Sequence, residues 1–277
     1  MKHIFVNFKR FDIPKAQGGV NSLAPVELWA KTIVDGVGSA LKKYDKEDVE
    51  FAMYFPEAHI LNAVGSLKDG DALAIGCQGV YRDDTAVGGN FGAFTTNLTA
   101  NAAKAMGCKT TIIGHCEERK DKAEILMEAG VKDHSIINRL LNCSILRATE
   151  AGLRVLYCIG EKAEEQCRWQ EVLKEQLEVG LQGVDMQKVC IAYEPVWAIG
   201  PGKTPPDREY IQKIARFVKD VTDGCDVVYG GGLKEDNAEM LSSIEEIDGG
   251  LIALTRFSGD IGFYPEEYLT IVEKYLG

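Results

Sequence analysis

A carboxylate closes the apolar run "VCIAY" (189–193), and a proline follows it: Glu194 and Pro195. Beyond them Trp197 and Ile199 stand in the glycine-punctuated segment "VWAIGPGKT" (196–204). A surface loop normally minimises exposed tryptophan and isoleucine, so a loop carrying them is expected to close over something. Glu194 at that strand end is an acid/base candidate. Two more groups could do chemistry beside it. His115 follows the run "TTIIG" (110–114), and Lys9 follows "HIFVNF" (3–8). An imidazole can donate to a reacting oxygen, and an ammonium can hold negative charge as it develops. Each also has a plain structural reading: a histidine satisfied by backbone at a helix start, a glutamate before a proline turn, half of a solvated Lys-Arg pair.

Chemistry by these residues needs a scaffold that gathers distant positions. Eight short β-rich runs recur along the chain: 3–8, 50–55, 72–77, 110–114, 153–158, 189–193, 225–230 and 250–254. Segments of helical periodicity lie between most of them, among them Pro25–Lys43, Ser135–Ala151, Lys162–Leu181 and Arg208–Thr222, and "YPEEYLTIVEKYL" ends the chain. The runs are continuous rather than alternating, as parallel strands covered on both faces should be. Eight strands with intervening helices at this length predict an α/β fold, a (β/α)₈ barrel. A doubly wound sheet is the competitor, but the first strand ends in "NFKRF" rather than a G-x-G-x-x-G turn. No Ser/Pro-rich linker divides the chain, so residues 1–277 are expected to form one domain.

In a barrel, functional groups collect at the C-terminal strand ends. Read in order, those ends carry Asn7 and Lys9, Gln78, His115, Cys158 to Glu161, Glu194, and Tyr229 to Gly232. An acid/base candidate, an electrophile and a cation thus fall at one end of one barrel.

Composition narrows the partners. The 277 residues are 45% hydrophobic and 26% charged, with a formal net charge of −11. Such acidity argues against a nucleic-acid or anionic-membrane partner, so an anionic ligand must be captured by local geometry. "MKHIFVNFKRF" is too short and polar for a signal segment, no run approaches a membrane span, and a cytoplasmic protein is expected. The eight cysteines form no C-x-x-C pair and most lie in apolar runs, which reads as reduced, mostly buried thiols. With only four scattered histidines, neither metal nor cofactor is expected.

Several stretches together resemble the triosephosphate isomerase family. "VNFK" is similar to its N-x-K, "IIGHCEER" to its I-x-G-H-S-E-R-R, "CIGE" to its strand-5 end, and "AYEPVWAIGPGKT" to its catalytic strand and lid. "YGGG" and "GAFTTN" (92–97) are looser matches. The resemblance runs in order from residue 5 to the end and implies a TIM barrel acting on a small phosphorylated sugar. The resemblance implies the family's residue roles, which rest on pKa tuning and lid closure. Glu194 is implied as general base, with the lid Pro195, Val196, Trp197 through Lys203 and Thr204 drying the site. His115 at a helix N-terminus, where the dipole favours neutral imidazole, is implied as electrophile. Lys9 is the implied cation, Asn7 orients substrate oxygens, and Glu117 holds the lysine. Phosphate is expected on backbone N–H groups around Gly200, Gly202, Gly231, Gly232, Ala253 and Leu254. A homodimer through the strand-3 loop, with Thr95 near its tip, also follows from the resemblance.

Four departures accompany it. Cys116 stands where the family has the serine that holds the glutamate. Gly232 replaces a phosphate-contacting serine. Ala253-Leu254 replace a Gly-Gly pair and are followed by Thr255 and Arg256, a forked anion binder or a solvated strand-end arginine. The loops "RFDIPKAQGGVNSLAP" and "YRDDTAVGGNFGAFT" are long, and Glu118 replaces an arginine. The default substrates are glyceraldehyde 3-phosphate and dihydroxyacetone phosphate. A four-carbon sugar phosphate such as an erythrulose phosphate is the alternative, and a non-catalytic sensor a third reading.

Overall fold

A computed structural model describes residues 1–277 with the exception of His134 and Pro201. Pro201, within the expected lid and its phosphate-binding glycines, therefore lies outside the described residues. The strands are β1 (Lys2–Asn7), β2 (Val49–Phe55), β3 (Leu73–Cys77) and β4 (Thr110–Ile113), then β5 (Arg154–Ile159), β6 (Val189–Tyr193), β7 (Val227–Tyr229) and β8 (Gly249–Ile252). Each hydrogen-bonds its sequence neighbours in parallel and β8 returns to β1, closing the barrel. All eight expected runs are strands. The seventh is shorter than expected, because only its three central residues pair with β6.

The helices are α1 (Val26–Leu41), α2 (Glu57–Ser66), α3 (Ala100–Ala105), α4 (Cys116–Glu128) and α5 (Ser135–Glu150), then α6 (Trp169–Gly180), α7 (Arg208–Val221), α8 (Ala238–Ser242) and α9 (Pro265–Leu276). Their starts are written in the sequence. Proline precedes α1 and α2 and opens α9, where a missing N–H costs nothing. Thr99 and Asp207 cap α3 and α7 with side-chain oxygens.

Strand residues divide between two apolar layers. Phe5, Tyr54, Ile112, Leu156, Ala192, Val228 and Leu251 fill the barrel interior. Ile4, Val6, Phe51, Met53, Val155 and Ile191 face outward against Trp29, Ile33, Leu141 and Leu177 of the helices. Both faces are dry, which is why the strands read as unbroken apolar runs. At the N-terminal mouth the buried ring of His3 sits between Glu50 and Asp226, 2.8 Å from each carboxylate.

The cysteines are all free. Four are buried, Cys116 and Cys225 are half-buried, and Cys143 and Cys167 are exposed. Among the described residues no helix is long and apolar enough to cross a membrane.

Candidate active site

β6 delivers Glu194 to the C-terminal mouth, where it is only 2% exposed. Its own N–H is spent on Ile159 of β5 at 2.8 Å, and a side chain at Gly160 would run into its carbonyl oxygen. The backbone therefore fixes where the carboxylate starts. The carboxylate accepts the backbone N–H of Cys116 at 2.8 Å through Oε2, and Oε1 lies 3.1 Å from Nε2 of His115. Burial pushes the carboxyl above its ordinary value, opposed by the charges of His115 and Lys9 and by the Cys116 N–H.

His115 caps α4. Its Nδ1 accepts the N–H of Glu117 at 3.2 Å, which assigns the ring proton of a neutral imidazole to Nε2. That Nε2–H points at Glu194. The half-buried thiol of Cys116 is pushed up to about 12 by burial and the neighbouring Glu194 charge, so it stays protonated. Cys116 thus grips the glutamate through its main chain, with Sγ 3.8 Å from His115 Nδ1.

Lys9 and Asn7 close the site from β1. The backbone of Lys9 adopts φ 44°, a left-handed conformation disfavoured for a residue with a Cβ. Asn7 braces it by accepting the Lys9 N–H on Oδ1 at 3.0 Å. Gln78 at the end of β3 adds a second brace, donating Nε2 to Lys9 O at 2.9 Å and to Asn7 Oδ1 at 3.3 Å. Lys9 Nζ meets Glu117 Oε1 at 2.7 Å. Burial raises the Glu117 carboxyl, but Lys9 outweighs it and the net direction is down. Glu194, His115, Lys9, Asn7 and Glu117, five residues from three strand ends, are therefore linked by direct contacts.

The lid is anchored at its base. Trp197 donates Nε1 to Glu161 at 2.7 Å, and the same oxygen accepts Tyr193 at 2.9 Å and Tyr210 at 3.1 Å. Pro195 is buried and Val196 half-buried, whereas Gly200, Gly202, Lys203 and Thr204 are exposed. Gly200 and Gly202 have φ of 119° and 74°, which glycine alone adopts without strain. A cleft of about 840 Å³ opens beside Cys116 and is bounded by Val196 and Ile199 of the lid.

After β7, the N–H groups of Gly231 and Gly232 meet no acceptor among the described residues. Gly232 has φ 103°, so the serine expected there would be strained. After β8, Ala253 and Leu254 are half-buried. Arg256 does not stand free: its Nε donates to Glu267 Oε1 at 2.7 Å and its guanidinium lies 4.0 Å over the Tyr264 ring. Thr255 Oγ1 donates to the other Glu267 oxygen at 2.8 Å. Both replacement donors considered from sequence are held by α9. The long first loop packs onto this segment, with Asp260 paired to Lys15 and bonded to Ser22 and Tyr264.

The positioning roles of two residues are not legible in the sequence. Glu161 ends the "CIGE" match, but its grip on the lid tryptophan depends on Tyr193 and Tyr210 converging there. Arg119 ties Gly114 O at 2.8 Å, Cys158 O and Tyr157, locking the β4 end to β5. Glu118, in place of the family arginine, accepts the Gly114 N–H at 2.7 Å.

Residues 27–272 match the family model described as triosephosphate isomerase. The triosephosphate isomerase of Chlorobium luteolum is 33% identical over 209 residues, 71% of this chain and 76% of that protein. That of Syntrophotalea carbinolica is 30% identical over 257 residues, 88% and 91% of the two chains. The crystal structure of triosephosphate isomerase from Bartonella henselae superposes with a TM-score of 0.73 at 23% identity, covering 99% of this chain and 98% of that one, and shares the fold. On these grounds the chain belongs to the triosephosphate isomerase family.

Proposed function

We propose that this protein interconverts glyceraldehyde 3-phosphate and dihydroxyacetone phosphate by proton transfer through an enediolate. The observation that carries the reading is the 3.1 Å approach of Glu194 to His115 Nε2, with His115 Nδ1 occupied by a backbone N–H. Glu194 takes the proton from the carbon beside the carbonyl and returns it to the neighbouring carbon. Burial supports this role, because it favours the protonated carboxyl and so raises basicity. The Nε2–H of His115 turns from Glu194 to the substrate oxygen and donates to it as charge develops. Lys9, with Asn7 beside it, holds that charge from the opposite side in a site of low dielectric.

The phosphate rests on backbone N–H groups of Gly200, Gly202, Gly231 and Gly232, with Ala253 and Leu254 completing the nest. Closure of the lid, with its Trp197, over Glu194 excludes water during transfer. No step in this mechanism calls for a cofactor. The working form is a single-domain barrel, cytoplasmic and paired as a homodimer through residues 78–99. The exposed Val87 and Phe91 on that loop, with Thr95 near its tip, support an apolar contact.

Turnover of purified protein on a panel of three- and four-carbon ketose phosphates tests the reading. The triose pair should show the largest kcat/KM. Faster turnover of a four-carbon sugar would reassign the substrate, and binding with no turnover would overturn the catalytic role.

A further inference from the structure

We infer that His115, Cys116 and Glu194 form a site for a thiophilic divalent cation such as Zn²⁺, which locks the enzyme in an inactive state. One nitrogen, one sulfur and one carboxylate oxygen from these residues lie within 4.8 Å of one another. His115 Nε2 lies 3.1 Å from Glu194 Oε1 and 4.0 Å from Cys116 Sγ. Around tetrahedral zinc, bond lengths of roughly 2.0–2.3 Å place donors about 3.3–3.7 Å apart. Side-chain shifts of about an ångström or less therefore bring the three donors onto one ion, with a fourth position open to water.

The donor set is specific to the departure at residue 116. A serine hydroxyl there is a poor ligand, whereas a thiolate selects soft cations. Coordination through Nε2 requires the ring proton to move to Nδ1, which gives up the 3.2 Å hydrogen bond that Nδ1 accepts from the Glu117 N–H. Glu117 Oε2, 3.8 Å from Nδ1, must then close to hydrogen-bond distance to serve as the carboxylate partner of a metal-bound imidazole. The thiol loses its proton to solvent as the S–metal bond forms, so binding releases one proton and tightens as pH rises.

The consequence for turnover rests on the proposed catalytic roles. A cation held here occupies the base and the electrophile at once, and it must leave before substrate can react. Binding itself does not depend on those roles.

The test is titration of the purified protein with Co²⁺ and then Zn²⁺. One Co²⁺ per chain should produce thiolate-to-cobalt charge-transfer absorption, and Zn²⁺ should displace it. The band should persist when the exposed Cys143 and Cys167 are replaced by serine and vanish in Cys116→Ser, with Cys116→Ala as the second variant should the first fail to fold. Zn²⁺ should inhibit competitively with substrate and be reversed by chelator. Cys116→Ser should weaken that inhibition at least as much as the loss of an outer partner of a metal ligand does, about 10–100-fold. Absence of the band, its survival in both Cys116 variants, or equal inhibition of Cys116→Ser by Zn²⁺ would overturn the site. A chain that isomerises none of the sugars but shows the band would refute the catalytic reading alone.

Discussion

Glu194 is held through the backbone N–H of Cys116 at 2.8 Å. The loss of the family's serine hydroxyl is thereby offset by the first turn of α4, whose N–H groups favour a carboxylate. A carboxylate so placed is buried, oriented and within reach of the imidazole, yet retains one oxygen for chemistry.

Replacing that carboxylate isolates its role. Glu194→Gln keeps the volume and the contact with the Cys116 N–H but removes the basic oxygen. Loss of a general base costs ~10²–10⁴-fold or more. Solvent-deuterium incorporation at the substrate α-carbon should fall by that factor with the circular dichroism spectrum unchanged. Exchange at the wild-type rate would dispose of the mechanism.

Lys9 is the second test. Lys9→Met preserves the stem and deletes the cation proposed to balance the enediolate, with an expected loss of about 10²–10³-fold in kcat/KM by comparison with other charge-stabilising donors. Glu117→Gln should weaken turnover less, since the ammonium remains and only its anchor at 2.7 Å is softened. Equal losses in the two variants would mean that the pair matters as a structural unit instead.

Much of this was legible in the sequence, for identifiable reasons. Strands buried on both faces show as continuous apolar runs, so all eight stood out. The acid/base residues sit in short contiguous motifs that resemble a known family. α4 was expected from His115 at its start and not from its own periodicity, because "CEERKDKAEILME" buries no residue and carries no apolar stripe. The hold on Glu194 was hidden because a backbone N–H leaves no signature in side-chain identity. The commitment of Arg256 to Glu267 needs the loop geometry after β8. The tie between Lys15 and Asp260 joins residues at opposite ends of the chain.

Arg256 yields a prediction that differs from its appearance in sequence. Held by Glu267 and stacked on Tyr264, it should order residues 253–264 rather than contact phosphate. Arg256→Ala and Glu267→Gln should then produce similar changes in KM, and the double variant should be no worse than either. Additive losses would instead assign the guanidinium a separate contact with the substrate.

Restoring the family's serine should not restore its contact. Gly232 has φ 103°, a conformation in which an added Cβ meets only Lys234 but strains the backbone. Gly232→Ser is expected to cost roughly 1–3 kcal/mol in denaturant unfolding and to leave KM for the triose phosphate no lower. A variant that is both stable and tighter-binding would show that the loop re-forms around the serine.

The last prediction concerns the opposite mouth of the barrel and is a matter of stability alone. Burial pulls the His3 imidazole down, but hydrogen bonds and charges of Asp226 and Glu50 outweigh it, so its value lies above the ordinary 6.5. Arg154 faces Glu50 at 2.6 Å and Lys219 acts on Asp226, so both carboxylates have further cationic neighbours. The sign follows from linkage: a group whose folded value is raised stabilises the fold fully below its unfolded value and loses that contribution as pH rises through the folded one. Asp226 is shifted the other way, lowered first by its bond to His3, so its contribution fades as pH falls below about 3.8. The arrangement should therefore stabilise most between about pH 4 and 6.5 and progressively less above that. His3→Gln can still bond to both neighbours but carries no charge. The difference in unfolding free energy between wild type and this variant should be largest near pH 5.5 and shrink steadily toward pH 9. A difference that is flat or grows with pH would mean that His3 is neutral in the folded barrel and that its neighbours hold the charge elsewhere.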